Sequence, residues 1–142
     1  RHADAVRRLE TVVARRPGDA VALNNMAWAL TAQGAEPERA LALAERAFFL
    51  APSPASADTL GWVLVRQGRL DRGVALLRLA TEASRTEQGP DPAMAYRLAF
   101  GLRALGQRQE ATELLRPALA RGTPFAERAE AERLMSDLTA GR

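Results

Sequence analysis

The sequence predicts an all-α fold, a solenoid of antiparallel helix pairs. Apolar residues recur at helical spacing from end to end, and no segment alternates as a strand would. Two segments, "NNMAWAL" at 24–30 and "DTLGWVL" at 58–64, repeat at a shift of 34 that carries Trp28 onto Trp62, the only two tryptophans of the chain. Self-similarity at such a period marks stacked helix pairs.

The register extends well beyond those segments. A shift of 34 takes Met26 to Leu60, Ala27 to Gly61, Leu30 to Leu64 and Gly34 to Gly68. In the helix that follows, Ala40, Ala47 and Pro52 mark one copy, and Gly73 and Ala80 the next, shifted by 33 because "GAEPERA" holds one extra residue. A third copy lies at a shift of 38, with Leu98, Ala99, Leu102, Gly106, Ala111, Leu115 and Ala118; its four extra residues fall in the polar stretch "SRTEQGPD". Small residues at Ala27, Gly61 and Ala99, facing Ala40, Gly73 and Ala111, let the two helices of a pair approach closely. Gly34, Gly68 and Gly106 end each first helix where a left-handed residue is wanted. Asp19, Asp91 and Thr123 read as helix caps, the last two followed by Pro at the first turn.

These signals place eight helices at about 3–16, 20–33, 37–50, 55–67, 70–84, 92–105, 108–121 and 125–139. Residues 3–19, with Ala5, Leu9 and Val12 before Pro17, read as the second helix of a repeat whose first helix is missing. The chain is therefore expected to be a piece of a longer protein that begins in mid-repeat. Complete repeats follow at 20–53, 54–87 and 92–124. The last helix, 125–139, with Phe125, Ala129, Leu134 and Leu138 on one side and charges on the other, is expected to cap the stack.

The pattern resembles the tetratricopeptide repeat. The first copy matches with Leu23, Met26, Ala27, Leu30, Gly34, Ala40, Leu43 or Phe48, Ala47 and the closing Pro52. The second matches with Leu60, Gly61, Leu64, Gly68, Gly73, Leu77 and Ala80, and it lacks the closing Pro, as does the third. The resemblance implies a right-handed superhelix whose concave groove binds a partner protein or peptide.

Composition narrows the function from the other side. With 142 residues, 47% of them hydrophobic, the chain can bury a real core. The absence of cysteine excludes disulfides and thiolate metal sites. All 20 basic residues are arginine, which GC-rich codons would produce; selection for bidentate anion binding is the other reading. A net charge of +3 without a basic stripe points away from nucleic acid. No apolar run is long enough to span a membrane. His2, the only histidine, reads as a solvated terminal residue, and no catalytic constellation, phosphate loop or metal-ligand spacing appears. The expected function is therefore non-enzymatic, with no cofactor and no metal. Glu110, Glu113, Glu130 and Glu132 read as ion-paired solvated faces.

Helical periodicity assigns the groove. With Leu23, Met26, Ala27 and Leu30 buried, the positions turned away are Asn24, Asn25, Trp28 and Thr31 in the first repeat. The second repeat contributes Asp58, Thr59, Trp62 and Arg66, and the third Tyr96, Arg97, Phe100 and Arg103. Trp28, Trp62 and Phe100 should then form an aromatic row, and Arg66, Arg97 and Arg103 could clamp a partner carboxylate. The alternative for the rings is sideways packing against the adjacent repeat.

Some stretches are more specific. "LNNMAWAL", "ADTLGWVLVRQGRLDRGVALLRLA", "DPAMAYRLAFGL" and "GTPFAERAEAERLMSDL" look like the final repeats of bacterial tetratricopeptide-repeat proteins tied to exopolysaccharide export and PEP-CTERM/exosortase systems. That resemblance implies a periplasmic or envelope-anchored assembly factor. Two alternatives stand beside it. One is self-association through the half-repeat at 3–16, as an oligomerisation or regulatory module. The other is an adaptor for chaperone C-terminal tails, whose modules use lysines, asparagines and an arginine; Asn25 matches one such asparagine, and the chain has no lysine.

Overall fold

The computed structural model describes residues 2–142, with the side chain of His2 outside the described part. The helices are α1 (His2–Arg15), α2 (Ala20–Gln33), α3 (Pro37–Leu50), α4 (Pro54–Arg66), α5 (Leu70–Ala83), α6 (Pro92–Ala104), α7 (Arg108–Ala120) and α8 (Arg128–Thr139). Each packs mainly on the helix before and after it, so α2–α3, α4–α5 and α6–α7 form the three antiparallel pairs. The first helices also touch in sequence, α2 on α4, α4 on α6 and α6 on α8, and so share one face.

Local chemistry explains the boundaries. The Ala22 N–H donates to the Asp19 carboxylate at 3.0 Å, and the Met94 N–H donates likewise to Asp91. Ser53 and Ser56 make a reciprocal capping box at the start of α4. Gly34, Gly68 and Gly106 take φ of 65°, 81° and 84° in the turns between the helices of each pair, a conformation that costs glycine little.

The closest approach is between α4 and α5. A Cβ on Gly61 would stand 2.9 Å from the Gly73 carbonyl oxygen and 3.0 Å from the Leu77 nitrogen. Only backbone without side chains fits there. Around this contact the core runs as two clusters, one centred on Met26, Leu30, Leu60 and Leu64, the other on Leu77, Leu102, Leu115 and Leu134. The four-residue insertion lies in the connection between α5 and α6, where Thr86 and Gly89 form a small bridge and Arg121 donates to the Pro90 carbonyl at 2.7 Å.

Three details differ from the sequence reading. The last helix starts at Arg128, not at 125, and Thr123 does not cap it. Residues 122–127 form an irregular strap instead: Phe125 packs on the core, and the Arg128 guanidinium donates to the carbonyls of Leu119 and Thr123. In the same helix Ala131, not Ala129, belongs to the buried stripe. In α1 the stripe is Val6, Leu9 and Val13, spaced three and four apart, which leaves Val12 36% exposed. That stripe packs on the core built by α2, α3 and α4.

Candidate functional site

The face shared by α2, α4, α6 and α8 carries the candidate residues, and the structure divides them. Asn25 and Arg66 are exposed, and Asn24, Trp28, Thr31, Trp62, Phe100 and Arg103 are half-buried. Asp58, Thr59, Tyr96 and Arg97 are buried, with 4–6% of their surface exposed. Those four were expected in the open groove. They are covered because the superhelix brings residues of successive repeats within reach of one another.

Arg97 shows how. Its Nε and Nη2 donate to the two oxygens of Asp58 at 2.9 and 2.7 Å, a bidentate pair between neighbouring first helices. Its Nη1 donates to Glu127, in the strap before α8. Its guanidinium also lies 4.9 Å from the centre of the Trp28 ring, two repeats away. One side chain thus ties all three repeats and the strap together across the concave face. Arg97 is therefore satisfied internally and is not free to clamp a partner.

Charge on this network is shaped by burial. Burial pushes the Asp58 carboxyl up from the ordinary carboxylate range, and the hydrogen bonds and charge of Arg97 pull it back only in part. Burial also works against the charge on Arg97, but its hydrogen bonds to Asp58 and the charges of Asp58 and Glu127 outweigh it, so the guanidinium holds its proton more firmly than usual. Burial raises the Tyr96 phenol as well, helped by Glu130 and Glu127.

Trp62, Tyr96 and Phe100 form a compact aromatic cluster. Trp62 meets Phe100 edge-on at 5.1 Å and Tyr96 at 6.0 Å, and Tyr96 meets Phe100 at 6.3 Å. Trp28 stands apart from them beneath Arg97. The aromatic row is therefore a three-ring cluster plus one separate indole; Trp62 packs on the next repeat, and Trp28 on Arg97 two repeats on. Arg66 lies over two of the clustered rings, 5.5 Å from the centre of Trp62 and 5.6 Å from that of Phe100. Arg103 donates through Nε to the Arg142 carbonyl at 3.2 Å.

At the opposite end, Asn24 holds the place that Asp58 holds in the next repeat. Thr59 stands where Arg97 would be needed, and the Asn24 Oδ1 is buried without a partner, as is the Thr31 Oγ1. Beside Asn24 a cavity of about 220 Å³ opens between the first turns of α2 and α4, lined by Val21, Asn25, Ser53 and Ala55 among others. Among the described residues no group of His, Asp or Glu side chains could hold a metal ion. No helix is long and apolar enough to cross a membrane.

Glu127 is the one member of this constellation that sequence reasoning missed. The periodicity gave it no role, because a helix starting at 125 would have turned it into one more solvated carboxylate.

No protein-family model and no curated protein matches the chain. Among solved structures it is similar to one described as "MamA RS-1 ArsTM double mutant", at 17% identity and a TM-score of 0.65, over 99% of this chain and 86% of that one. At that identity the likeness carries the fold alone: an all-α solenoid of helix pairs, of the tetratricopeptide-repeat type.

Proposed function

We propose that the chain is a non-enzymatic scaffold that seats a segment of a partner protein on the face built by α2, α4 and α6. The observation that carries this reading is the half-open cluster of Trp62 and Phe100 under an exposed Arg66, rigid aromatic area beside an orienting polar group. Such a combination supplies contact area at little cost in ordering. The finer setting, a bacterial envelope or exopolysaccharide-export assembly, rests on the resemblance of the segments at 57–138 quoted above. Cell fractionation of the native host tests it, and a purely cytoplasmic protein would contradict it.

The scaffold reading is tested by cross-linked capture from the native envelope fraction, followed by affinity measurements on the purified, identified partner. Trp62→Ala should weaken binding by about 2 kcal/mol or more while circular dichroism shows the helices intact. Trp28→Ala should do less, because its ring is already engaged by Arg97. Unchanged affinity in a folded Trp62→Ala variant would remove this face from the binding site.

A further inference from the structure

We infer that the partner segment is acidic and that Arg66 is the group that reads it. The inference rests on the scaffold reading and adds the chemistry of the occupant.

Three arginines were candidates for a carboxylate clamp. Arg97 has spent its fork on Asp58 and Glu127 and its flat side on Trp28. Arg103 gives only its Nε, to the Arg142 oxygen, and among the described residues no Asp or Glu carboxylate lies within ion-pair distance of it. Arg66 is exposed and has no carboxylate partner at all among the described residues. An arginine in that state normally samples many rotamers, and ordering it weighs against binding. Here Trp62 and Phe100 hold the guanidinium at 5.5 and 5.6 Å, so the fork is oriented before a ligand arrives. A carboxylate approaching from the open side meets two parallel N–H donors.

The neighbouring charges favour the same occupant. Arg97 pairs with both Asp58 and Glu127 and offsets one of their two charges, and Glu130 lies 3.6 Å from Arg133. The cations of this face without a carboxylate partner among the described residues are Arg66 and Arg103, two against the one carboxylate charge left over. Two cations suit one or two Asp or Glu side chains of a peptide. A nucleic-acid strand carries a charge at every phosphate and needs a longer row.

The test uses the whole chain and three labelled probes: hexaglutamate, hexaglutamine and hexathymidylate. Hexaglutamate should bind in preference to the other two, and more weakly as salt rises. Arg66→Gln should lower its affinity about tenfold. Arg66→Lys should recover little of that loss, since an ammonium lacks the fork. Melting curves of both variants should fall by only a few degrees, because an exposed guanidinium loses no more than its contacts with Trp62 and Phe100. Equal affinity of hexaglutamate for the parent and Arg66→Gln would overturn the inference, as would tighter binding of hexathymidylate or no binding of hexaglutamate. If hexaglutamine binds as tightly and Trp62→Ala weakens it, the acidic occupant is wrong and the scaffold reading stands.

Discussion

Cutting the Asp58–Arg97 pair should cost more stability than replacing it whole. Both side chains are 7% exposed, and two short charge-assisted hydrogen bonds join them. Removing one member of such a pair typically costs about 3–5 kcal/mol, because the other charge is left buried and unpaired. In Asp58→Ala, Glu127 still faces Arg97, so the lower end applies, about 3 kcal/mol. For a chain of this size that lowers the melting temperature by roughly 10 °C. In Arg97→Met the stranded Asp58 can take up a proton, which its raised carboxyl makes easier, so the loss is also about 3 kcal/mol. The double variant strands neither charge and should fall far short of the sum of the two. Glu127, 21% exposed, matters less; Glu127→Gln should cost at most about 1 kcal/mol. Urea unfolding followed by far-ultraviolet circular dichroism measures the whole cycle. Additive single losses, or an Asp58→Ala loss below about 1 kcal/mol, would refute the reasoning.

Two further outcomes follow from the same geometry. Because burial raises the folded-state value of Asp58 above its ordinary 3.8, ionising it opposes folding; that opposition is absent below 3.8 and complete above the raised value. The parent should therefore gain stability relative to Asp58→Asn as the pH falls through that window, and a relative loss would reverse the sign assigned here. Gly61→Ala should destabilise by about 1–2 kcal/mol, since overpacking against backbone at 2.9 and 3.0 Å exceeds the roughly 1 kcal/mol gained in helix propensity. Gly101→Ala, which meets only methyl groups of Val74 and Val65, should melt higher than Gly61→Ala; the reverse order would mean that the α4–α5 backbones can separate.

The helices and their pairing were legible because three repeats each state them. Leu23, Met26 and Leu30, their counterparts and the glycine turns obey local rules, and a local rule can be read from local sequence. The candidate site obeyed those rules only up to the helix surface. Periodicity says that Asp58 and Arg97 leave the buried stripe of their own helices, and they do. It cannot say that the curvature of the stack brings one against the other and Arg97 over Trp28. Arg66 and Asn25 stay exposed, as periodicity expects of them, although Arg66 rests on Phe100 of the next repeat. Glu127 was invisible for the complementary reason, since its position depends on a strap that breaks the helical pattern.

The position of α8 connects the fold to the site. Ala131, Leu134 and Leu138 have the spacing of Leu23, Met26 and Leu30, and of Ala95, Leu98 and Leu102, and all nine are buried. α8 therefore sits in the stack as a further first helix, in contact with α6 and α7. Where the earlier first helices carry Ala27, Gly61 and Ala99, it carries Met135. A side chain of that size fills the space that Gly61 leaves for Gly73, so α8 covers the core without leaving the gap that a close second helix requires. At the place of Trp28, Trp62 and Phe100 it carries Ser136, so the aromatic surface ends at α6. The strap that leads into α8 brings Glu127 onto Arg97 and completes that arginine's set of partners. The strap that seats α8 on α6 and α7 thus also withdraws Arg97 from the groove, and among the described residues it leaves Arg66 as the arginine of that face with no hydrogen-bond acceptor on its fork.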